Sequence, residues 1–279
     1  MQQEANAMEE GAYNPEKVIE TSASKVHPSF FGVVQQRAEI KQALSGIKHK
    51  IGVYSAKGGV GKTTVSVNLA YALKELGYSV GLIDADVDCP NVTFFVGLEA
   101  QMNPEYPLRP IEHKGVKIAS TAMLTDSRNP IIWRGPIAAK MIADFLKNTD
   151  WGKLDYLIID LPPGTSDVPL SIMQLLNLDG FVLVTTPQHI SAVNAIRSGI
   201  MAKRFGINLY GVVENMSNGT SAGAKEVAEA LKCDMLGSIA EDRKFSDFAD
   251  AGKVPVLEDK DAKKIFIGIA KKLIDWVEV

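Results

Sequence analysis

The sequence has few cysteines and histidines, no long apolar run and little net charge. Its 279 residues include two cysteines, Cys89 and Cys233, too few for a disulfide framework and typical of a reducing compartment. No apolar run approaches the roughly 20 residues of a membrane-spanning helix, and no basic-then-apolar signal pattern opens the chain. A net charge of −3 gives no global argument for nucleic-acid binding. We therefore expect a cytoplasmic globular protein that binds no nucleic acid.

The chain divides into a short polar segment and a long mixed one. Residues 1–24 contain five glutamates and one lysine, a net charge of −4, and no periodic apolar face. Such a segment buries too little apolar surface to fold, so we expect a disordered acidic tail. Residues 25–279 alternate apolar strand patterns with helical patterns and contain no long linker, which predicts a single domain.

The strand patterns include continuous apolar runs, which are typical of parallel strands that are buried on both faces. We predict an α/β fold with a doubly wound, mostly parallel sheet and helices on both faces. The predicted strands cover 50–55, 79–84, 116–120, 154–160, 180–186, 208–214 and 234–239. The predicted helices cover 29–46, 63–76, 135–148, 167–177, 189–205, 222–232, 243–250 and 261–277, and 99–114 is expected to be irregular.

The most informative segment is 55–64, Ser-Ala-Lys-Gly-Gly-Val-Gly-Lys-Thr-Thr, between a predicted strand and a predicted helix. Its glycines allow backbone N–H groups to turn towards a phosphate, and the helix N-terminus favours the same anion. Lys62 can supply positive charge to the outer phosphates, and the Thr63 hydroxyl can ligate Mg²⁺. The segment predicts a nucleotide phosphate site, whereas a glycine-rich turn with a chance lysine is the weaker alternative.

Acidic residues follow two other predicted strands, where ligand groups gather in an open parallel sheet. Asp160 ends an apolar strand and is our Mg²⁺ candidate, with a helix N-cap as the alternative. Asp84 and Asp86 are two residues apart, so one of them can support the metal while the other orients an attacking water. We expect Asp88 and Asn91 to cap the short helix that follows.

The second lysine, Lys57, makes the segment resemble the deviant Walker A loop of the MinD/ParA group of dimeric P-loop ATPases. That resemblance implies that Lys57 reaches the nucleotide of a partner subunit in a homodimer, and that Asp86 orients the attacking water. A solvated loop side chain is the alternative for Lys57. The implied ATP-binding residues of the loop are Gly58, Gly59, Val60, Gly61, Lys62, Thr63 and Thr64.

Further segments resemble the Mrp/ApbC-type branch of this group, regarded as iron–sulfur cluster carriers: Trp133–Pro136, Asp155–Thr165, Thr185–Gln188 and Val212–Ser217. The resemblance implies slow ATP hydrolysis with Mg²⁺, an iron–sulfur cluster, and client or carrier partners. It also implies that Asn215 contacts the adenine, for which a strand-end turn residue is the alternative.

One feature of the branch is absent from this sequence. Carriers of this type follow Asn-Met-Ser with a Cys-x-x-Cys pair, whereas Asn218-Gly219-Thr220-Ser221 stands here. Neither cysteine has a cysteine neighbour, so no iron–sulfur ligands are identifiable and cluster binding is doubtful.

Two other functions remain open at this stage. One is a MinD/ParA-like positioning or partitioning ATPase that acts on a membrane or chromosome. A lysine-rich helical pattern at 263–277, typical of helices that bind a membrane surface, is the only support for membrane binding. The same pattern is typical of a final helix that packs on a sheet, and we favour packing. The other is a nucleotide sensor without a metal role.

Overall fold

The computed structural model describes residues 28–103, 105, 107–123, 135–165 and 167–278. Its strands are β1 (Ile47–Tyr54), β2 (Val80–Asp84), β3 (Ile111–His113), β4 (Val116–Ser120), β5 (Leu154–Asp160), β6 (Gly180–Thr185), β7 (Leu209–Ser217) and β8 (Met235–Ala240). Its helices are α1 (Pro28–Ala43), α2 (Lys62–Glu75), α3 (Val92–Phe95), α4 (Gly135–Lys147), α5 (Asp167–Leu175), α6 (His189–Arg204), α7 (Ala222–Leu231), α8 (Lys244–Asp250), α9 (Pro255–Glu258) and α10 (Lys260–Val277).

The strands form one eight-stranded sheet in the order β3-β4-β2-β5-β1-β6-β7-β8. All neighbours are parallel except β3 and β4, which are antiparallel. Central strands β2, β5 and β6 and the second half of β1 are almost wholly buried, because their apolar side chains face helices on both sides. The predicted doubly wound, mostly parallel α/β fold is confirmed, and it gathers the carboxyl ends of β1, β2 and β5 at one edge.

Helices cover both faces of this sheet. Helices α2, α9 and α10 pack together, α1 and α5 both pack on α4, and α6 packs on α7. The lysine-rich α10 buries Phe266, Ile269 and Leu273 and packs against α2 and β8, as the packing interpretation expected. Among the described residues, no helix combines the length and apolar character needed to cross a membrane.

Several predicted boundaries were wrong at the edges of the fold. The first helix ends at Ala43 instead of residue 46, and β1 begins at Ile47 because its first residues pair with β5. The segment 99–114 is not wholly irregular, since Ile111–His113 forms an antiparallel edge strand. That strand has three residues, too few for a clear alternation pattern.

Some predictions fall on parts of the chain that the structure does not describe. The proposed acidic tail at 1–24 lies outside the described residues, as do Trp133 and Arg134. The division of the chain into that tail and one P-loop ATPase domain at 25–279 stays a prediction.

Candidate functional site

The glycine-rich loop connects β1 to α2 at the carboxyl edge of the sheet. Gly59 has a φ of 79° and Gly61 a φ of 81°, in the left-handed region where glycine is favoured. Gly61 is the N-cap of α2, and no side chain caps this helix end. The first amides of a helix have no partner within the helix, so they are left to bind an anion. A Cβ on Gly61 would lie 2.0 Å from Asn215 Nδ2, so no larger residue fits.

Behind the loop, three donors converge on the carboxylate of Asp160, which is 1% exposed. Lys62 Nζ lies 2.7 Å from Asp160 Oδ1, and the hydroxyls of Thr63 and Ser66 donate to Oδ2 and Oδ1, each at 2.7 Å. The fully buried carboxylate therefore has charge-assisted partners on both oxygens, which offsets its desolvation. The predicted lysine, threonine and Mg²⁺ candidate thus form one cluster.

Asp84 lies beside Asp160, because the two residues are register partners on β2 and β5. Burial, together with the neighbouring negative charge of Asp160, raises the pKa of Asp84 well above its usual range. Both of its oxygens accept backbone N–H groups: Oδ1 from Asp86 at 3.1 Å, and Oδ2 from Val92 at 2.9 Å. In this geometry Asp84 fixes the segment between β2 and α3.

Asp86 lies just beyond the end of β2 and is 8% exposed. Burial raises the pKa of its carboxyl group, and the charge of Lys62 opposes that shift. Its Oδ1 accepts the N–H of Cys89 at 3.3 Å. Asn91 occupies the N-cap position of α3, as predicted, but its side chain makes no hydrogen bond to the helix. The N–H of Val92 is accepted by Asp84 instead.

Lys57, Gly58 and Gly59 form the exposed rim of the loop, whereas Val60 is buried. The Ser55 hydroxyl donates to the Lys57 carbonyl at 3.0 Å and fixes the backbone that carries the lysine. Thr64 is half-buried on the other side of the loop. The exposed Lys57 side chain therefore lies at the carboxyl edge of the sheet.

Asn215 closes the loop from the side of β7. Its side chain is 5% exposed and donates to the Val60 carbonyl at 3.0 Å. Together with Thr64 it borders a cavity of about 470 Å³, which extends between the ends of β7 and β8 and helix α8. Phe245 and Arg243 also line this cavity. An apolar ring and a cation beside the phosphate loop suit a planar base.

The segment that replaces the Cys-x-x-Cys pair is polar and fixed at its base by Glu214. This fully buried carboxylate accepts the Ser217 hydroxyl at 2.5 Å and the Ala224 N–H at 2.9 Å. Cys89 is exposed beyond the carboxyl end of β2, whereas Cys233 is half-buried before the amino end of β8. The two thiols of one chain therefore lie at opposite edges of the sheet.

Sequence reasoning missed three polar residues around the loop: Tyr54, Ser66 and Asn68. Ser66 lies four residues after Lys62, on the same face of α2, so helical spacing was a usable signal. Asn68 donates to the Thr64 carbonyl at 2.8 Å and accepts the Val256 N–H at 3.0 Å. The second contact spans 188 positions of sequence, which no local pattern indicates.

This geometry defines a class of protein, the P-loop nucleotide-binding proteins with a doubly wound sheet. Residues 46–274 match the family model described as ParA: NUBPL iron-transfer P-loop NTPase, so the chain belongs to that family. The iron-sulfur cluster carrier protein of Methanocaldococcus jannaschii is 40% identical over 263 residues, covering 88% of this chain and 91% of the relative. The predicted family resemblance is confirmed.

Solved structures agree with this membership. A nucleotide-binding protein from Archaeoglobus fulgidus in complex with ADP has a TM-score of 0.67 and 32% identity, over 82% of this chain and 96% of its own. The cell division ATPase MinD of Pyrococcus furiosus has a TM-score of 0.61 and 21% identity, over 81% and 98% of the respective chains, which shows a shared fold.

Proposed function

We propose that the protein binds and slowly hydrolyses ATP as a homodimer and serves iron–sulfur cluster assembly or transfer in the cytoplasm. The observation that carries the ATPase part is the cluster of Lys62, Thr63 and Asp160 directly beneath the uncapped N-terminus of α2. Family membership supports the iron–sulfur part.

In the proposed complex, the backbone amides from Gly58 to Thr64 bind the phosphates, and Lys62 supplies charge to the outer ones. Asn215 and the cavity beside Thr64 take the adenine. The oxygen donors of Thr63 and Asp160 fit Mg²⁺, which keeps several of its waters and would be held through one of them by Asp160. Bound Mg²⁺ would neutralise charge on the β- and γ-phosphates.

For hydrolysis, we assign Asp86 the orientation of the attacking water, whose oxygen forms the new bond to the γ-phosphorus while the bond to the ADP oxygen breaks. Lys57 of each subunit would stabilise charge on the partner subunit's nucleotide. Asp84 was a metal candidate, but its two backbone hydrogen bonds favour a role in holding the segment that carries Asp86.

The iron–sulfur cluster would be cargo, and most of its ligands would come from another protein. One subunit offers two cysteines at opposite edges of the sheet, and burial raises the pKa of Cys233, which keeps that thiol protonated. A dimer could pair two copies of Cys89 at most, which is half of the usual four thiolates. The client or carrier protein therefore supplies the remaining ligands in this proposal.

The ATPase part is tested by Lys62→Ala, with Lys117→Ala as the matched control. Lys117 also donates a hydrogen bond, to the Trp151 carbonyl at 2.7 Å, but lies away from the loop. We expect Lys62→Ala to lose ATP binding and phosphate release, and Lys117→Ala to keep both. Wild-type protein without Mg²⁺-dependent phosphate release would refute the proposed activity.

The iron–sulfur part is tested by anaerobic reconstitution with iron and sulfide, read by visible absorbance and iron per dimer. We expect the isolated protein to stay nearly colourless, and to accelerate cluster transfer from a loaded carrier when ATP is present. A stable cluster on the isolated protein would contradict the idea that the partner supplies the ligands. A rate of cluster transfer that is the same with and without the protein and ATP would contradict the assembly role.

A further inference from the structure

Two consecutive residues at the end of β1 hold both backbone polar groups of Gly164. The Tyr54 hydroxyl donates to the Gly164 carbonyl at 2.6 Å. The Ser55 carbonyl accepts the Gly164 N–H at 3.0 Å. Tyr54 and Ser55 immediately precede the phosphate loop, whereas Gly164 belongs to the segment 161–165 that follows Asp160.

The backbone of segment 161–165 is constrained around Gly164. Gly164 has a φ of 113°, which favours glycine, and a Cβ built on it would meet no atom within 4 Å. Pro162 and Pro163 stiffen the two residues before it. Pro163 Cγ lies 4.0 Å from the position of a Cβ on Gly58, so the segment borders the phosphate loop.

The surroundings of Tyr54 hold its hydroxyl in position for this hydrogen bond. Its side chain is fully buried, and its ring lies 6.1 Å from that of Phe181 in an edge-on arrangement. Burial raises the pKa of Tyr54, so the hydroxyl remains a protonated donor at neutral pH. An apolar residue would fill the same core volume, so the hydroxyl contributes polar contacts alone, to the Gly164 carbonyl and to the neighbouring buried hydroxyl of Ser198.

Ser55 also fixes the phosphate loop on the other side of the site. The Ser55 hydroxyl donates to the Lys57 carbonyl, while the Ser55 main chain bonds Gly164. The positions of the phosphate loop and of segment 161–165 are therefore set relative to one common point at the end of β1.

We propose that Tyr54 is a positioning residue for ATP hydrolysis, whose hydroxyl holds segment 161–165 against the phosphate loop so that Asp160 and Gly164 keep their places beside the outer phosphates. This inference rests on the proposed ATPase function. Tyr54 touches no reacting atom in it and acts through the Gly164 carbonyl.

The test is Tyr54→Phe, which removes one oxygen atom and keeps the ring. We expect amide hydrogen exchange of the peptide covering 161–165 to accelerate about three- to tenfold, as the loss of one hydrogen bond predicts. We expect kcat to fall by a similar factor while the Kd for ATP stays within about twofold. The thermal midpoint of the variant identifies any general loss of folding.

Two control variants separate this contact from others. Tyr210→Phe removes a hydroxyl from the opposite, amino edge of the sheet, and should change neither exchange at 161–165 nor kcat. Ser55→Ala removes the bond to the Lys57 carbonyl but keeps the main-chain bond to Gly164, so exchange at 161–165 should stay at the wild-type rate.

Unchanged exchange in Tyr54→Phe would overturn the contact, and faster exchange with unchanged kcat would overturn its role in hydrolysis. A parallel rise in Kd and fall in kcat would indicate a general disturbance of the site and would also overturn the proposal. Wild-type protein that does not hydrolyse ATP would refute the proposed function, and the exchange result would still decide whether Tyr54 holds the segment.

Discussion

Asp86 is the carboxylate at which the proposed reaction can be tested with little disturbance of the fold. Asp86→Asn keeps an oxygen that can accept the Cys89 N–H, but lacks the negative charge to which we assign the orientation of the attacking water. We expect kcat to fall on the order of 100-fold, with the Kd for ATP nearly unchanged. Phosphate release and nucleotide binding, measured on the same protein, check both parts.

The matched control for that variant is Asp88→Asn, since Asp88 is exposed in the same segment and makes no cap contact with α3. It should retain wild-type turnover. If Asp86→Asn hydrolyses ATP at the wild-type rate, another group orients the water.

Asp155 is a single residue that links the amino ends of β1, β5 and β2. Its carboxylate accepts Lys48 Nζ at 2.6 Å and the Ser79 hydroxyl at 2.7 Å, and these hydrogen bonds lower its pKa to about 2. Because the folded-state pKa is below the unfolded one, the stabilisation is complete above about pH 4 and disappears towards pH 2.

The corresponding variant is Asp155→Asn, measured by urea unfolding as a function of pH. We expect it to be less stable than wild type at pH 7 by about 1 kcal/mol, since Lys48 is exposed and its ion pair is screened. The difference should shrink as the pH falls from 4 to 2. A difference that stays constant over this range would show that the charge of Asp155 contributes nothing.

At the scale of elements, α2 connects the phosphate loop through Asn68 to the region of the cavity that we propose for the adenine. The Asn68 side chain joins the Thr64 carbonyl to the first turn of α9, and α9 follows the cavity-lining α8. A backbone crossing supports the same region, since a Cβ on Gly252 would lie 2.6 Å from Gly97 Cα. The position of α8 therefore depends on α2.

We expect Asn68→Ala to weaken ATP binding about five- to tenfold, consistent with the loss of one or two buried hydrogen bonds. Binding of inorganic tripolyphosphate should stay unchanged, because it uses the loop alone. Tyr71→Phe is the matched control, since it removes a partly buried hydrogen bond between the same helix and His113. If Asn68→Ala weakens the binding of ATP and of tripolyphosphate equally, the effect lies in the phosphate loop.

The elements also show what a sequence reveals and what it leaves out. The strand, glycine loop and helix around residues 51–76 are local signals, and backbone preference and periodicity were enough to predict them. Edge strand β3 was missed because three residues carry no periodicity. The role of Asp84 could not be predicted either, since its hydrogen bonds depend on how the segment after β2 folds back.

The contacts that complete the site are long-range. Asn215 reaches Val60 across 155 positions, and Tyr54 reaches Gly164 across 110. Such pairs follow from the strand order, in which β1 lies between β5 and β6. The sequence predicted that the carboxyl ends of strands would meet, but it contained no signal for which side chains would bond there.

At the scale of the whole molecule, the carboxyl edge of the sheet is the surface at which the proposed homodimer would form. Lys57 is exposed on the loop, and Phe94 and Ile190 expose 62% and 72% of their surface on elements that follow β2 and β6 at this edge. Exposed apolar side chains at one edge of a sheet favour association with another protein surface. In the proposed homodimer, Lys57 would cross this surface to the other subunit's phosphates.

The variant Lys57→Ala tests that arrangement, with Lys203→Ala as a control at the C-terminal end of α6. We expect Lys57→Ala to lower both ATP-dependent dimerisation, measured by light scattering after size-exclusion chromatography, and kcat by tenfold or more, roughly the loss of one charge-assisted contact. ATP binding by the monomer should persist, because Lys62 and the loop amides remain. Unchanged dimerisation and turnover in Lys57→Ala would confine Lys57 to its own subunit, and the dimer would then need another explanation.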